Sequence, residues 1–337
     1  MKTSDSQAEI AADGPVMSRL EAVTDRASRS RAVRTKFGDR LFILLSRGAA
    51  SLVVVVLGGV LVALALGALP AFREFGPQFV WSDRWSPAKD LFGAAAPIYG
   101  TLVTSAIAMV IAVPLSFGIA IFLTELCPAP LRRPIGVAIE LLAGIPSIIY
   151  GLWGFFVLAP IMQSSIQPLL IDTLGNLPIV SSLFKGAPYG VGMLTAGVVL
   201  AIMALPFITA VTRDVFATVP AMLRESAYGV GMTTWEVVRY IVIPYCRTGL
   251  VGGIMLGLGR ALGETMAVTF VIGNSHRIAA SLMAPATTIS ASIANEFTEA
   301  TSPLYTASLI ALGLILSVIT FLVLGLARWM IQRSKLH

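Results

Sequence analysis

The sequence predicts an all-α membrane protein with six transmembrane helices, and three observations carry that expectation. Hydrophobic residues make up 56% of the 337 and charged residues only 12%, with a mean hydropathy of +0.84; soluble domains carry about 25% charged residues. Six apolar stretches each reach the roughly 20 residues that a helix needs to cross a hydrocarbon core about 30 Å thick. Lysine and arginine are dense and sparse in alternate connecting segments, the pattern of a chain that crosses a membrane repeatedly.

Residues 1–40 are polar and hold Arg19, Arg26, Arg29, Arg31, Arg34, Lys36 and Arg40. They are expected to form a basic cytoplasmic tail, disordered or lying on the membrane surface, ahead of a transmembrane domain over 41–337. A span follows at once, so the cluster reads as a topogenic charge rather than a nucleic-acid site. It is no cleavable signal either, because the apolar run starts too late and is too long. Spans are expected at 41–69, 99–123, 135–159, 191–211, 249–272 and 304–329. The segment 72–97 contains Trp81 and Trp85, which suit either headgroup anchors or the reception of a partner protein. Glu140, near Arg132 and Arg133, is expected at the interfacial start of the third span. Residues 160–190 hold Pro160, Pro168, Pro178 and Pro188 and are expected to pack on the bilayer or partly re-enter it.

Eighteen Lys and Arg flank one set of span ends and five flank the other (Arg73, Arg84, Lys89, Lys185 and Arg277). That asymmetry predicts a multi-pass membrane protein with both termini and the 220–244 loop in the cytoplasm, and it accounts for the net charge of +6 without nucleic acid. Cys127 and Cys246 fall at cytoplasmic ends, where no disulfide is expected. His276 and His337 are too far apart to suggest a metal site.

Residues 220–244 are too charged for lipid and read as two short helices. Pro220 opens the first, and Gly229 with Gly231 permits the left-handed turn that ends it. Thr233 and Glu236 make a capping box for the second, which Pro244 is expected to stop. Glu225-Ser226-Ala227, then Gly231, then Ile241-Val242-Ile243-Pro244 resembles the EAA loop of ABC importer permeases: E-A-A, three residues, G, nine residues, I-x-L-P. Ser226 and Ile243 are the departures. The resemblance implies that Glu225, Ser226, Ala227, Gly231, Ile241, Ile243 and Pro244 couple the chain to an ATPase subunit, as a helix laid in a groove.

The fifth span carries Arg260 and Glu264. Counted from Gly249 at about 1.5 Å per residue, Arg260 lies roughly 16 Å deep, near the bilayer middle. A charge there costs about 2.5–3.5 kcal/mol on insertion scales. On a continuous helix Glu264 shares its face one turn on and can pair with it. Gly249, Gly253, Gly257, Arg260, Glu264 and Ala267 then form a stripe of small residues around one ion pair. The stripe admits two readings. Either the glycines pack helices and the pair fixes their register, or Arg260 lines a path for an anion and Glu264 balances it when substrate is absent. Arginine suits a tetrahedral oxyanion, since its guanidinium stays charged and offers paired donors.

The string GLGRALGETMAV, the following IGN, and SIANEFTEA resemble the phosphate importer permeases of the PstC type over most of residues 90–330. The resemblance implies a type I ABC importer permease (MetI-like) core, preceded here by one extra span, and uptake of inorganic phosphate. It also implies a homologous second permease subunit (PstA type), an ATPase dimer (PstB type) and an external phosphate-binding protein (PstS type), with ATP and Mg bound by the ATPase and no cofactor in this chain. Consistent with a transport subunit that is not an enzyme, there is no G-x-x-x-x-G-K-[ST] and no G-x-S-x-G turn. The charged stripe alone also suits sulfate or molybdate, and a stand-alone secondary transporter is the reading from another class.

Overall fold

The computed structural model describes residues 14–177 and 181–334, with side-chain surroundings for 39–177 and 181–329. The chain divides into two compact units, Met1–Val62 and Ala63–His337. The described part of the first is a single helix. This helix, α1 (Gly14–Phe75), has Pro15 in its first turn and runs on past the unit boundary. Its start makes 14–40 helical rather than disordered: that stretch has six arginines and three alanines, good helix formers, and no proline after Pro15. Residues 1–13 lie outside the described residues, as do Pro178 and His337. Leu52, Val53, Val54, Val55, Val56 and Leu57 are all exposed, and a helix apolar on every side is stable when lipid surrounds it.

The second unit contains α2 (Ala95–Leu126), α3 (Ala129–Ala143), α4 (Ser147–Leu174), α5 (Met193–Ala217), α6 (Ala221–Gly229), α7 (Thr234–Gly263), α8 (Met266–Val271), α9 (Ile289–Glu296) and α10 (Pro303–Ser334). Among the described residues, six helices are long and apolar enough to cross a membrane: Asp39–Phe75 within α1, α2, α4, α5, α7, and Pro303–Trp329 within α10. The third span differs from the expected 135–159. Gly144, Ile145 and Pro146 interrupt the apolar stretch, because a residue before proline is pushed out of helical geometry; residues 129–143 form the separate helix α3, and the span is Ser147–Leu174. Glu140 therefore stands on α3 rather than at a span start, and its carboxylate meets Arg213 of α5 at 2.6 Å.

Helix α4 also runs through Pro160 and Pro168, so 160–174 continues the span instead of packing on the bilayer as a loop. A local widening explains the tolerance. Four π-helical turns, Phe122–Leu126, Gly154–Leu158, Met162–Ile166 and Val238–Val242, each end two residues before a proline: Pro128, Pro160, Pro168 and Pro244. Proline lacks an N–H and its ring collides with the carbonyl one turn back; a wider turn relieves both. After the first of these the helix ends at Cys127; after the other three it continues. Pro244 accordingly does not stop the second short helix of the loop, which extends into the fifth span as one helix, α7.

The central post is α5. Ala196, Val199, Leu200, Met203, Ala204 and Ile208 are fully buried on it, against Ala108 and Ala112 of α2 and Val268 and Val271 of α8. Helix α7 lies close to α5 because its facing residues are glycines: a Cβ at Gly249 would stand 2.7 Å from Val215, one at Gly253 3.1 Å from Val211, and one at Gly257 2.6 Å from Ile208. Three of the stripe's glycines thus pack helices. Ile208 is 0% exposed and cannot swing clear. Gly257→Val is therefore expected to cost about 1–3 kcal/mol, seen as a lowered thermal unfolding midpoint of the detergent-solubilised protein; an unchanged midpoint would refute the close packing.

Candidate functional site

Two features of the second unit combine exposure with unusual chemistry, and both lie on α7 or the loop that leads into it. The loop builds itself from local rules. Pro220 caps α6, whose C-terminal residues turn at Gly231, with φ +87, and Met232 donates its N–H to the Ala227 carbonyl at 3.2 Å. Thr233 then caps α7: the Glu236 carboxylate accepts from the Thr233 N–H at 2.8 Å while the Glu236 N–H donates to the Thr233 hydroxyl at 3.4 Å. Beneath the turn, Ala227, Val237 and Val242 are buried with Ala120, Phe216 and Val219. Of the residues singled out in the loop, Ala227 is therefore a packing residue, Ile241 and Ile243 are half-buried, and Glu225, Ser226, Gly231 and Pro244 are exposed. Around them stand Met222, 76% exposed, Val230, 79%, and Trp235, 61%, with Tyr228 and Tyr240 also outward. A cluster of large apolar side chains at the end of a helix, outside its most apolar stretch, marks a contact surface.

About 26 residues further along α7, Arg260 lines a groove of about 850 Å³ between α7 and α10, with Phe207, Leu256, Phe321, Leu324 and Arg328. Its guanidinium carbon lies 4.3 Å from the centre of the Phe207 ring, a cation–π contact, and its Nε is buried without a hydrogen-bond partner. The expected pair with Glu264 is not formed. Helix α7 ends at Gly263, Glu264 is extended at ψ 132, and its carboxylate accepts from the Ala267 N–H at 3.3 Å, at the head of α8. Glycine weakens the helix at that point and a carboxylate competes for free backbone N–H groups. The break removes the i, i+4 register on which the pairing rested, and α8 covers only Met266–Val271 of the expected continuation. Among the described residues, no carboxylate stands within ion-pair distance of Arg260.

A second charged cluster went unread in the sequence. Glu296, at the end of α9, accepts from Trp85 Nε1 at 2.7 Å, lies 2.7 Å from His276 Nε2, and accepts from the Tyr305 hydroxyl. The Trp85 ring stacks on His276 at 4.7 Å and meets Phe92 edge-on at 5.1 Å. Trp85 is thus an internal tie, whereas Trp81 is 83% exposed. Trp85 lies 211 residues from Glu296 along the chain, so only the chemistry of the group, an acid beside a histidine and ring donors, could have hinted at it. Burial pushes the Glu296 carboxyl up, but the bonds from His276 and Tyr305, the charge of His276 and the Trp85 bond outweigh it and hold the group below its ordinary value of 4.5. With a depressed folded pKa, the carboxylate's contribution is fully present above the ordinary value and lost as pH falls through the folded one. The gap in thermal midpoint between the native chain and Glu296→Gln is expected to hold at neutral pH and close in acid below about 4.5. A gap that widened there would contradict the assignment.

Residues 112–336 match the family described as "Binding-protein-dependent transport system inner membrane component". The chain is 63% identical to the "Phosphate transport system permease protein PstC" of Mesorhizobium japonicum, over 94% of this chain and 97% of that one. It is 57% identical to the protein of the same name from Pasteurella multocida, over 88% and 92%, and 39% identical to a "Probable phosphate transport system permease protein PstC" of Methanocaldococcus jannaschii, over 78% and 85%. A solved bacterial alginate ABC transporter, crystallised with an alginate pentasaccharide-bound periplasmic protein, contains a chain of similar fold, with TM-score 0.55 and 17% identity, over 80% of this chain and 88% of that one.

Proposed function

The chain belongs to the family of binding-protein-dependent transport system inner membrane components, and from that premise we propose that it is the permease subunit of an ATP-driven importer of inorganic phosphate, coupled to a separate ATPase through the loop at 220–244. As a member it is a multi-pass inner-membrane protein and a subunit of a larger transporter. The observation that carries the rest is α7 itself: one helix, Thr234–Gly263, has the exposed loop at its start and Arg260 near its end.

In this reading both termini and the loop are cytoplasmic, as the Lys and Arg distribution favours. The outward residues of α6 and the turn, Glu225, Ser226 and Gly231, meet a groove on the ATPase, which binds ATP and Mg. Ala227, Ile241 and Ile243 shape that surface from beneath, and the exposed Pro244 is part of it. A second, homologous permease closes the open side of the Arg260 groove, and an external phosphate-binding protein delivers the anion. Arg260 offers the anion a permanent positive charge whose Nε has no competing partner, and Phe207 holds the guanidinium plane without neutralising it. Glu264 does not balance that charge here; it fixes the break just beyond Arg260. ATP-driven closure of the ATPase shifts the loop, and α7 carries that shift to the groove. Phosphate rather than sulfate or molybdate is favoured by the names of the relatives, since a guanidinium serves all three.

Arg260→Gln removes a charge-assisted contact of about 1.5–3 kcal/mol, so phosphate uptake in reconstituted vesicles is expected to fall roughly ten- to a hundredfold while the complex is still recovered with its ATPase. Uptake near that of the native chain would remove Arg260 from the path. Glu225→Arg or Gly231→Val, the latter forced into φ +87, is expected to reduce ATPase recovered with the permease in a pull-down; undiminished recovery would remove the loop from the contact.

A further inference from the structure

Helix α6 is fastened to the rest of the unit by a side chain on its inner face. Arg224 Nη1 lies 3.1 Å from Glu125 Oε1, and the Glu125 side chain is only 6% exposed. Glu125 sits in the π-helical turn Phe122–Leu126 that ends α2. The other end of the guanidinium, Nη2, donates to the Phe216 carbonyl at 2.6 Å, in the last turn of α5, a carbonyl that also accepts from the Val219 N–H at 3.2 Å. One arginine therefore joins the loop to the ends of α2 and α5 at once. Phe216, Val219, Ala227, Val237 and Val242, drawn from the same elements, form a buried apolar cluster, while the Arg224 side chain keeps 21% exposure. With the Glu125 side chain so nearly buried, losing either partner leaves the other without its ion pair.

We propose that the Arg224–Glu125 pair is a positioning contact for transport: it makes the loop and the end of α2 move together, so that displacement of the loop reaches the helices around the groove. The proposal rests on the reading of the loop as the ATPase contact. The geometry suits the task, because Glu225 and Ser226 are exposed on α6 while Arg224, one residue away, is turned inward. A push on the outer face is met by the ion pair and by Ala227, buried on the same helix.

The test uses the complete transporter, both permeases with the ATPase and the binding protein, in phosphate-loaded assays on proteoliposomes. For Arg224→Gln and Glu125→Gln the expected result is that the ATPase is still recovered with the permease and hydrolyses ATP, while phosphate moved per ATP falls by about tenfold. Arg224→Lys and the exchanged pair Arg224→Glu with Glu125→Arg are expected to recover most of that ratio. Three results overturn the proposal. Uptake could fall only in proportion to the assembled complex, at an unchanged ratio, which marks a purely structural pair. The ATPase could be lost with Arg224→Gln, which places Arg224 in the docking contact. The exchanged pair could assemble and remain uncoupled. Should the single glutamine variants not accumulate, the ratio for Arg224→Lys and for the exchanged pair decides alone. Failure of the underlying reading shows separately, as ATPase recovery that is indifferent to Glu225→Arg.

Discussion

The structure turns on one charge, that of Arg260, which no carboxylate among the described residues neutralises. A guanidinium about 16 Å along its helix beyond Gly249 is expensive in hydrocarbon, yet Arg260 has the Phe207 ring and a groove of about 850 Å³ beside it instead of an acid. The surroundings follow from that. The turns of α7 that precede Arg260 carry glycines against Val215, Val211 and Ile208, which seats the helix tightly on α5. Its other side faces α10 across the groove, leaving the charge open to whatever enters.

Proline distribution decides how far that helix extends. A helix stopped at Pro244 would separate the loop from Arg260 by a hinge; the π turn Val238–Val242 lets the chain continue through the ring and unites them. The same device carries α4 through Pro160 and Pro168. The loop in turn is held from below by Arg224, so its outer face is free for a partner while its inner face is committed to α2 and α5.

Much of this was legible from one sequence because the signals are local. Apolar length placed four of the six spans close to where they stand, and Thr233 with Glu236 announced a cap whose two reciprocal bonds are both present. The differences have separate local causes. Pro160, Pro168 and Pro244 were read as breakers because propensity takes no account of a π turn ahead of them. Gly144 and Pro146, inside an apolar run, were passed over, and the third span was displaced. Glu264 was placed on the face of Arg260 by assuming a continuous helix, although Gly263 lies between them. Contacts between distant segments carried no local mark at all: Arg224 with Glu125, Glu140 with Arg213, and Trp85 with Glu296 and His276.

The account stands or falls on whether the Arg260 groove opens to water during transport. In a chain whose buried thiols Cys127 and Cys246 are replaced by alanine, Leu324→Cys places a single reporter on the groove wall. The measurement is its rate of modification by a small, charged, membrane-impermeant thiol reagent, in vesicles containing the assembled transporter. Modification that depends on ATP turnover, and that slows when phosphate is being delivered, is the predicted result. A thiol that stays unreactive from both sides of the membrane, with and without ATP, would contradict it.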